Sequence, residues 1–415
     1  MCLFLGGSAK QFADLFIYLA YFCFVKQRIL LFDTILDGHH PDYLFNLIGY
    51  YSAFPEIDLF VATGALFQEQ FESRKQQEQL VWGKNITFLP IPMEKIQGIH
   101  ALSIYKRSFV EWNLMLDLAN QVHASHSLLM YFDYFQLGAW LGKRASIPVS
   151  GIYFRPNFLA NQKGFYPRLK KWILKKSLQS GQLKNLFCLG TESLAAIQAL
   201  SQEVNVEDLC DPVRLFNIDQ KDHSDFQEKL QLPANKKVYL NFGHLDNRKG
   251  IESFLKGCEN LPNSVLESMC LLLVGPIRPA YQQVIEAAIA RVPGLQVICR
   301  FGYLPAPEVQ MCFEASDVVL LLYQGHLGSS SVLVRAAMAK KLMLGSDKGQ
   351  IGALIQKNHF GLAVDSSSPS AIKAAIEELQ GNKVFLDISS CDAFASSNSI
   401  QKFGDTIRLG IESSY

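Results

Sequence analysis

A short stretch near the middle of the chain carries two adjacent cations between an apparent strand and a helix. The segment Val238–Gly250 reads VYLNFGHLDNRKG, with a strand ending at Gly243 and a loop that contains Arg248 and Lys249. Basic side chains beside the free amide groups of a helix start form a site for anions such as phosphate. A solvated basic turn would have the same sequence, so the segment alone leaves both interpretations open.

A second strand-to-helix loop is rich in glycine and serine. After an apolar strand that stops at Tyr323, the chain reads QGHLGSSSVLVRAAMA. Glycine lets a backbone approach a ligand closely, and serine hydroxyl and amide groups can line a phosphate. Alternatively, the serines only cap the following helix. The candidate ligand-binding residues of this loop are His326, Gly328, Ser329, Ser330 and Ser331.

Two aromatic residues follow the preceding strand, one strand earlier in the chain. Phe301 and Tyr303 flank a glycine directly after the apolar run that ends near Cys299. An aromatic ring at a strand end can stack on a nucleobase, and it can equally be a core residue.

In the first half of the chain, a strand-to-helix loop carries Gly38, His39 and His40. A flexible glycine beside an imidazole is suited to hydrogen-bonding a hydroxyl group or to accepting its proton. Two adjacent histidines in a loop are otherwise exposed turn residues. The sequence leaves both interpretations open.

Further polar residues follow later strands of the same half. Tyr131 and Asp133 come after one strand and Arg155 after the next. The carboxyl ends of strands are where ligands bind in open α/β sheets. Asp133 could instead cap a helix, whereas Arg155 could hold an anionic acceptor. For His123 and His126 we expect packing or surface roles.

The elements that must position these residues alternate along the chain. Short apolar runs separated by helical patterns of ten or more residues indicate βαβ units and parallel sheets. This rhythm breaks near 210–213 and then starts again. We therefore predict an α/β protein with two doubly wound, Rossmann-like domains at 28–212 and 213–390. Residues 1–27 form an apolar extension, and 391–415 form a C-terminal helix for which a return to the first domain is one option.

The order of the motifs in 237–379 resembles the donor domain of retaining GT-B glycosyltransferases of family four, or group 1. These motifs are the Gly-ended strand with its basic loop, Val-Gly-Pro, Phe-Gly-Tyr, and the Gly/Ser loop before Ala-Ala-Met-Ala. The first half matches only in its rhythm. The resemblance implies two domains that face each other across a cleft.

The resemblance also implies roles for individual residues. The basic pair Arg248 and Lys249 would hold the donor diphosphate, together with backbone amides of Gly328–Ser331. The family has an arginine after the first glycine, where this chain has His244. The family's two glutamates, seven residues apart, fall on Gly328 and Ala336 here, so the carboxylate pair is absent. This marks the chain as a divergent branch, in which His326 and the serines could replace some contacts.

Composition excludes several other classes of protein. With 49% hydrophobic residues the chain is not intrinsically disordered, and a net charge of +1 argues against a protein that coats nucleic acid. The nine cysteines show no Cys-x-x-Cys pair and no Cys/His spacing typical of zinc, so we expect no metal site and no disulfide framework. Cys188, Cys270 and Cys299 lie in apolar runs and are predicted to be buried thiols in a reducing, cytoplasmic compartment.

Two segments point toward a membrane surface. The run Phe12–Val25 is apolar and aromatic but shorter than a spanning helix needs. It could be a packed helix, an interfacial helix or an anchor. The segment Pro167–Lys176 is basic and amphipathic, which is typical of a helix on anionic lipid and also of a helix that covers a sheet.

The sequence therefore predicts a glycosyltransferase that moves a sugar from a nucleotide-sugar donor to a saccharide or lipid-linked acceptor. No carboxylate stands out as a nucleophile, so the resemblance implies retention by front-face displacement. We expect no cofactor, no nucleic-acid partner, and a cytoplasmic location that extends to the inner face of the membrane. The alternatives are a GT-B epimerase or hydrolase, or a non-catalytic nucleotide-sugar-binding or membrane-associated partner protein.

Overall fold

The computed structural model describes residues 26–35, 40–77, 81–154, 164–189, 194–326, 328 and 330–414. Within these ranges the chain divides into two compact units. The first comprises the described residues of Met1–Cys188, Ser193–Asp208 and Gly404–Tyr415, and the second those of Leu189–Glu192 and Leu209–Phe403. The predicted apolar extension 1–27 lies outside the described residues except for its last two positions.

The first unit is built on a seven-stranded sheet with the order β3-β2-β1-β4-β5-β6-β7. The paired strands from β1 to β6 run parallel. The strands are β1 Gln27–Phe32, β2 Ile57–Gly64, β3 Ile86–Ile91, β4 His126–Leu129, β5 Val149–Tyr153, β6 Leu183–Leu189 and β7 Asn205–Leu209.

Helices alternate with these strands. They are α1 His40–Tyr51, α2 Ala65–Gln77, α3 Met93–His100, α4 Ile104–Gln121, a 3₁₀ turn Phe132–Tyr134, α5 Gln136–Leu141, α6 Phe165–Leu178 and α7 Leu194–Gln198. Successive residues of β1 point to opposite faces of the sheet. Because Ile29, Leu30, Leu31 and Phe32 are all fully buried, both faces of the sheet are covered.

The second unit has a six-stranded, entirely parallel sheet with the order β10-β9-β8-β11-β12-β13. The strands are β8 Lys237–Phe242, β9 Met269–Gly275, β10 Gln296–Phe301, β11 Val318–Leu321, β12 Leu342–Ser346 and β13 Gly361–Val364. The helices of this unit are α8 Gln220–Lys229, α9 Ile251–Cys258, α10 Asn263–Glu267, α11 Pro279–Ile289, α12 Ala306–Glu314, α13 Ser331–Met338, α14 Gly349–Lys357, α15 Pro369–Gln380 and α16 Ile388–Ser397.

Alternation along its strands gives the second sheet two cores, one on each face. Val238 and Leu240 belong to one cluster, whereas Tyr239 between them belongs to the other. The same division holds for Leu272 and Leu273 on β9. The predicted fold class, two doubly wound α/β domains, is therefore confirmed.

The last helix, α17 Ile400–Glu412, begins in the second unit and continues in the first. Gly404 lies against the ring of Tyr50, where a Cβ would come within 2.3 Å of ring carbons. The Tyr50 hydroxyl donates to Asp405 and accepts a hydrogen bond from Arg408 Nε at 2.9 Å. Packing and hydrogen bonds thus fix the end of the described chain onto α1.

One prediction about cysteine burial was wrong. Cys188 and Cys270 are buried, but Cys299 is exposed. The reason is its strand: β10 is at the edge of its sheet, and its residues are only partly covered. An apolar run indicates a strand but does not tell a central strand from an edge strand.

No helix in the described part of the chain combines the length and the apolar character that crossing a membrane requires.

A row of polar groups crosses the first sheet near the start of its later strands. His126 Nε2 lies 2.8 Å from Ser150 Oγ, and Asn185 Nδ2 donates to the same hydroxyl at 2.9 Å. Asn205 in turn donates to Asn185 Oδ1 at 3.2 Å. His126 is fully buried, and this burial lowers its pKa to about 3. The predicted packing role for His126 agrees with this environment.

Because of this buried histidine, we expect the free energy of unfolding to decrease as the pH is lowered. A neutral folded-state imidazole with a pKa of about 3 and an unfolded-state value of 6.5 stabilises the fold fully only above pH 6.5. Below that pH the stabilisation falls by about 1.4 kcal/mol per pH unit, until about pH 3. Urea denaturation at pH 7 and pH 5 should therefore show wild type losing about 2 kcal/mol more than His126→Gln. Equal losses in the two proteins would contradict this.

Candidate functional site

The carboxyl edge of the second sheet holds a lysine ammonium group between two strands. Lys249 Nζ donates to the carbonyl oxygen of Phe242 at 2.7 Å and to the Tyr323 hydroxyl at 2.8 Å. The ammonium also lies 4.5 Å from the centre of the Tyr323 ring. These contacts fix the positive charge near the ends of β8 and β11. The Lys249 side chain is half-buried and therefore stays partly accessible to solvent.

Two glycines make this arrangement possible. Gly243 has φ +113°, and a Cβ there would lie 2.8 Å from Lys249 Nζ, so a side chain would displace the ammonium. Gly250, at φ +70°, would place a Cβ 2.1 Å from the carbonyl oxygen of Leu322. Glycine is the residue that tolerates both the left-handed backbone and the close approach. The predicted Gly243 therefore shapes the loop in addition to ending the strand.

Arg248, the other predicted cation, has a different environment. Its guanidinium is mostly exposed and pairs with Asp246 Oδ2 at 2.7 Å. The hydrogen bond with Asp246 raises the pKa of Arg248. Asp246 also accepts from the Arg248 backbone amide at 3.0 Å and so caps the short 3₁₀ turn Asn247–Lys249. A ligand that uses Arg248 must compete with Asp246 for the guanidinium.

The Gly/Ser loop adds hydroxyl and imidazole groups to the Lys249 site. Ser330 Oγ lies 3.1 Å from the Tyr323 hydroxyl, which can donate to it because the phenol oxygen already accepts from Lys249. The ring of His326 packs edge-on against Tyr323, with 5.2 Å between centroids. The structure therefore brings His326, Ser330, Lys249 and Gly243 together around Tyr323.

The beginning of α13 also belongs to this edge of the sheet. Ser330 is the N-cap residue, but its side chain makes no capping hydrogen bond to the helix because it is directed to Tyr323. Gly328 precedes it, and Ser331 is the first helical residue. Ser329 lies outside the described residues. Ala336, at the position of the missing second glutamate, is fully buried in the core.

The two predicted aromatic residues differ in their exposure to solvent. Phe301 is partly buried and packs against the second core, whereas the Tyr303 side chain is 88% exposed. Of the two, Tyr303 is the ring that a planar ligand could reach.

In the first unit, His40 lies in a buried pair with a carboxylate. Its Nδ1 is 2.7 Å from Asp33 Oδ2, and both side chains are nearly buried. Asp33 follows β1, and its other oxygen accepts from the Ile35 amide at 2.9 Å. The imidazole also packs against the rings of Tyr131 and Phe154. The structure thus joins the predicted residues His40 and Tyr131, while Gly38 and His39 lie outside the described residues.

Asp133 connects two strand ends rather than pointing away from the protein. Its Oδ2 accepts the backbone amide of Phe154 at 3.0 Å, which ties the 3₁₀ turn after β4 to the end of β5. This contact gives Asp133 a role in positioning Phe154, which packs against His40. Arg155 lies outside the described residues.

A cluster of charged residues that the sequence did not reveal lies beside the exit of β1. Glu111 on α4 is fully buried and pairs with Arg107 Nε at 3.1 Å. It accepts a hydrogen bond from Thr34, and His100 Nε2 lies 3.1 Å from the same hydroxyl. The Arg107 guanidinium lies 4.4 Å above the ring of Tyr134.

The sequence contains only a weak pattern that indicates this cluster. Arg107 and Glu111 are four residues apart, which is also the spacing of ordinary ion pairs on exposed helix faces. What distinguishes Glu111 is its place on the buried stripe of α4 that contains Ser108, Trp112 and Met115. Tracing that stripe around the helix would have identified a buried carboxylate.

Among the described residues, no three histidine, cysteine, aspartate or glutamate side chains gather as ligands for a metal ion.

The model of one protein family matches part of the second half of the chain. Residues 222–393 match the family model of the glycosyl transferases group 1. No curated protein matches the chain.

Solved structures share the fold across nearly the whole chain. Sucrose-phosphate synthase from Thermosynechococcus elongatus is similar with a TM-score of 0.68 and 14% identity, over 94% of this chain and 100% of that one. A glycosyltransferase from Rickettsia africae gives 0.68 and 13%, over 94% and 99%. Anabaena HepE, in complex with UDP and glucose, gives 0.64 and 15%, over 93% and 100%.

Proposed function

We propose that this chain, whose residues 222–393 match the model of the glycosyl transferases group 1, is a GT-B glycosyltransferase that transfers a sugar from a nucleotide-sugar donor with retention of configuration. The observation that carries the proposal is the Lys249 ammonium held by Phe242 and Tyr323 at the carboxyl edge of the second sheet. A fixed cation at that edge is suited to the diphosphate of a nucleotide sugar. The complexes of HepE with UDP and with UDP-glucose support the same class of donor.

Charge on the departing diphosphate would be stabilised by groups already in place. Lys249 supplies the positive charge. The backbone amides at the start of α13 supply hydrogen-bond donors, since the Ser330 side chain makes no capping hydrogen bond to them. Arg248 adds a second cation once it leaves Asp246. Front-face displacement needs no covalent nucleophile from the protein, which suits a site where Gly328 and Ala336 replace the family's glutamates.

Loss of those glutamates changes how the donor is held. Since Ala336 is buried, its position offers no polar group to a ribose, and we propose that His326 and Ser330 contact the donor instead. Tyr303 is the proposed stacking partner for the base.

On the first unit, we propose that His40 and Tyr131 serve the acceptor side, together with Gly38, His39 and Arg155. The acceptor is a saccharide or lipid-linked molecule, and the location is the cytoplasm, at the inner face of the membrane. Within the same fold the alternative is a GT-B epimerase, and the alternative that the absent glutamates favour is a non-catalytic nucleotide-sugar-binding partner. A mass-spectrometric screen of nucleotide sugars, scored for turnover and released nucleoside diphosphate, separates these functions.

The donor site is tested by removing its two cations separately. We expect Lys249→Met to weaken nucleoside diphosphate binding at least tenfold, because a charge-assisted hydrogen bond contributes about 1.5–3 kcal/mol. Arg248→Gln should weaken binding less, since Arg248 is exposed and already paired with Asp246. The double variant should lose at least as much as Lys249→Met.

Isothermal calorimetry with UDP, GDP and ADP measures these affinities. Lys256→Met, which removes an exposed cation from the neighbouring α9, is the matched control and should bind as wild type does. Unchanged affinity of Lys249→Met for every nucleotide that the wild type binds would rule out this donor site.

A further inference from the structure

The first unit exposes a group of large apolar side chains on two neighbouring helices. Trp140 of α5 and Trp172 of α6 contact each other edge to face, with 4.9 Å between ring centroids. α6 buries Leu174, Ser177 and Leu178. Outside this buried side, the following residues are exposed by 47–80%: Leu141, Phe165, Tyr166 and Trp172. We call Trp140, Leu141, Phe165, Tyr166 and Trp172 the tryptophan surface.

Positive charge is concentrated in the segments that form this surface, and the sequences of α5 and α6 contain no acidic residue. α6 carries Arg168, Lys170, Lys171, Lys175 and Lys176, and its sequence FYPRLKKWILKKSL contains no aspartate or glutamate. Lys143 and Arg144 follow α5 directly, again without an acidic neighbour. Since the whole chain has a net charge of +1, and these two segments contribute seven positive charges, the rest of the chain has a net charge of −6.

One of the basic side chains of α6 lies against an aromatic ring of the tryptophan surface. Lys170 Nζ lies 4.6 Å from the centre of the Tyr166 ring. Tyrosine and tryptophan favour the boundary between water and lipid, because their rings are apolar and their polar groups can stay hydrated. Lysine side chains can lay their apolar stems along the same boundary while their charges meet lipid phosphates.

We propose that the tryptophan surface and its surrounding cations dock this protein on an anionic lipid bilayer. α6 has 14 residues and five cations, so it is too short and too charged to span a bilayer of about 20 residues' depth. It lies along the interface, with its buried side against the first unit and its aromatic side toward the lipid. The occupant is a membrane because a large apolar area within a positive field matches lipid tails beneath anionic headgroups.

The inference extends the proposed function, since docking would bring the acceptor side of the enzyme to lipid-linked molecules. It does not depend on sugar transfer. Docking is measured on the full chain without any nucleotide sugar, so failure to bind lipid and failure to bind a donor are separate results.

The first experiment is co-sedimentation with vesicles of phosphatidylcholine alone and of phosphatidylcholine mixed with phosphatidylglycerol. Wild type should sediment with the mixed vesicles only. Replacing Lys170, Lys171, Lys175 and Lys176 with glutamine should lower partitioning by about a hundredfold or more, as expected when several basic residues leave a charged surface. The matched control, glutamine at Lys221, Lys236, Lys256 and Lys357 of the second unit, should sediment as wild type does.

A second measurement tests the aromatic contribution independently of charge. Mixed vesicles should shift the tryptophan emission of wild type to shorter wavelength, and Trp172→Phe should show a smaller shift. Phe165→Ser with Tyr166→Ser removes two exposed rings, and it should fold normally but partition at least tenfold less.

Two results would overturn the proposal. One is a wild type that does not sediment with the mixed vesicles. The other is self-association in sedimentation velocity that disappears in Phe165→Ser with Tyr166→Ser, while sedimentation with vesicles is equal for all variants. That outcome would assign the surface to a second copy of the chain.

Discussion

His40→Ala should lower turnover by at least a hundredfold while donor affinity stays nearly unchanged. The Asp33 carboxylate can only accept, so His40 Nδ1 donates to it across 2.7 Å. In the neutral imidazole, Nε2 is then the nitrogen with a lone pair, which can hydrogen-bond a sugar hydroxyl or accept its proton. General-base assistance of this kind typically contributes 10²–10⁴-fold in rate.

The variant Asp33→Asn tests whether Asp33 orients the His40 imidazole or only packs against it. The asparagine has nearly the same shape as aspartate but no charge, so it no longer stabilises the imidazolium or enforces the Nδ1–H form. Turnover should fall in this variant as well, by roughly tenfold or more. His39→Ala is the companion variant, because the sequence places both histidines in the same loop.

Turnover must be measured per folded molecule, since His40→Ala leaves the buried Asp33 without its partner. Circular dichroism and calorimetric donor binding provide that normalisation. His223→Ala, which breaks a comparable histidine–carboxylate contact with Glu314 at 2.6 Å in the second unit, is the control and should retain turnover. If His39→Ala and His40→Ala both turn over as wild type does, this loop has no catalytic role.

Glu111→Gln should destabilise the protein by about 3–5 kcal/mol, which is the usual cost of removing one partner from a buried ion pair. Glu111 is fully buried, and the Arg107 side chain is only 12% exposed. Without the carboxylate, the guanidinium stays in a poorly hydrated position with no opposite charge. Thr34 and His100 keep an amide oxygen as a possible acceptor but lose the negative charge around which they are arranged.

Urea denaturation gives the measurement, and the chain offers a control with the same spacing. Lys373 and Glu377 are also four residues apart, at 2.9 Å, but both side chains are substantially exposed. Glu377→Gln should cost less than about 1 kcal/mol. Arg107→Met with Glu111→Leu should recover most of the stability, because it removes both charges. A cost below 1 kcal/mol for Glu111→Gln would show that the cluster is effectively hydrated.

Strong apolar runs made much of the fold predictable. The end of β8 at Phe242 agrees with the predicted strand that stops at Gly243, because this central strand has a continuous, largely buried apolar sequence. The strand β7, Asn205–Leu209, was not predicted. Its sequence NVEDL alternates polar and apolar residues at the sheet edge, where a weak pattern resembles a loop.

The candidate site of the second unit could be predicted further than the polar cluster of the first unit. Lys249 and Ser330 were found because strand-to-helix loops have a recognisable chemistry in one short segment each. Glu111 and His100 are brought to the end of β1 from two helices far along the chain, so no local pattern links them to Thr34. Arg248 was predicted as an equal partner of Lys249, but Asp246 two residues earlier competes for its charge.

The position of Gly404–Ser414 has a consequence for how the protein is made. These residues complete the packing around Tyr50, which lies 355 positions before Asp405 in the sequence. A ribosome synthesises the entire second unit before this segment emerges. The second unit can therefore acquire its structure on the nascent chain, whereas the first unit must wait with part of its core uncovered. During that interval the face of α1 that includes Tyr50 stays exposed, and transiently exposed apolar surface of this kind makes a chain prone to aggregate.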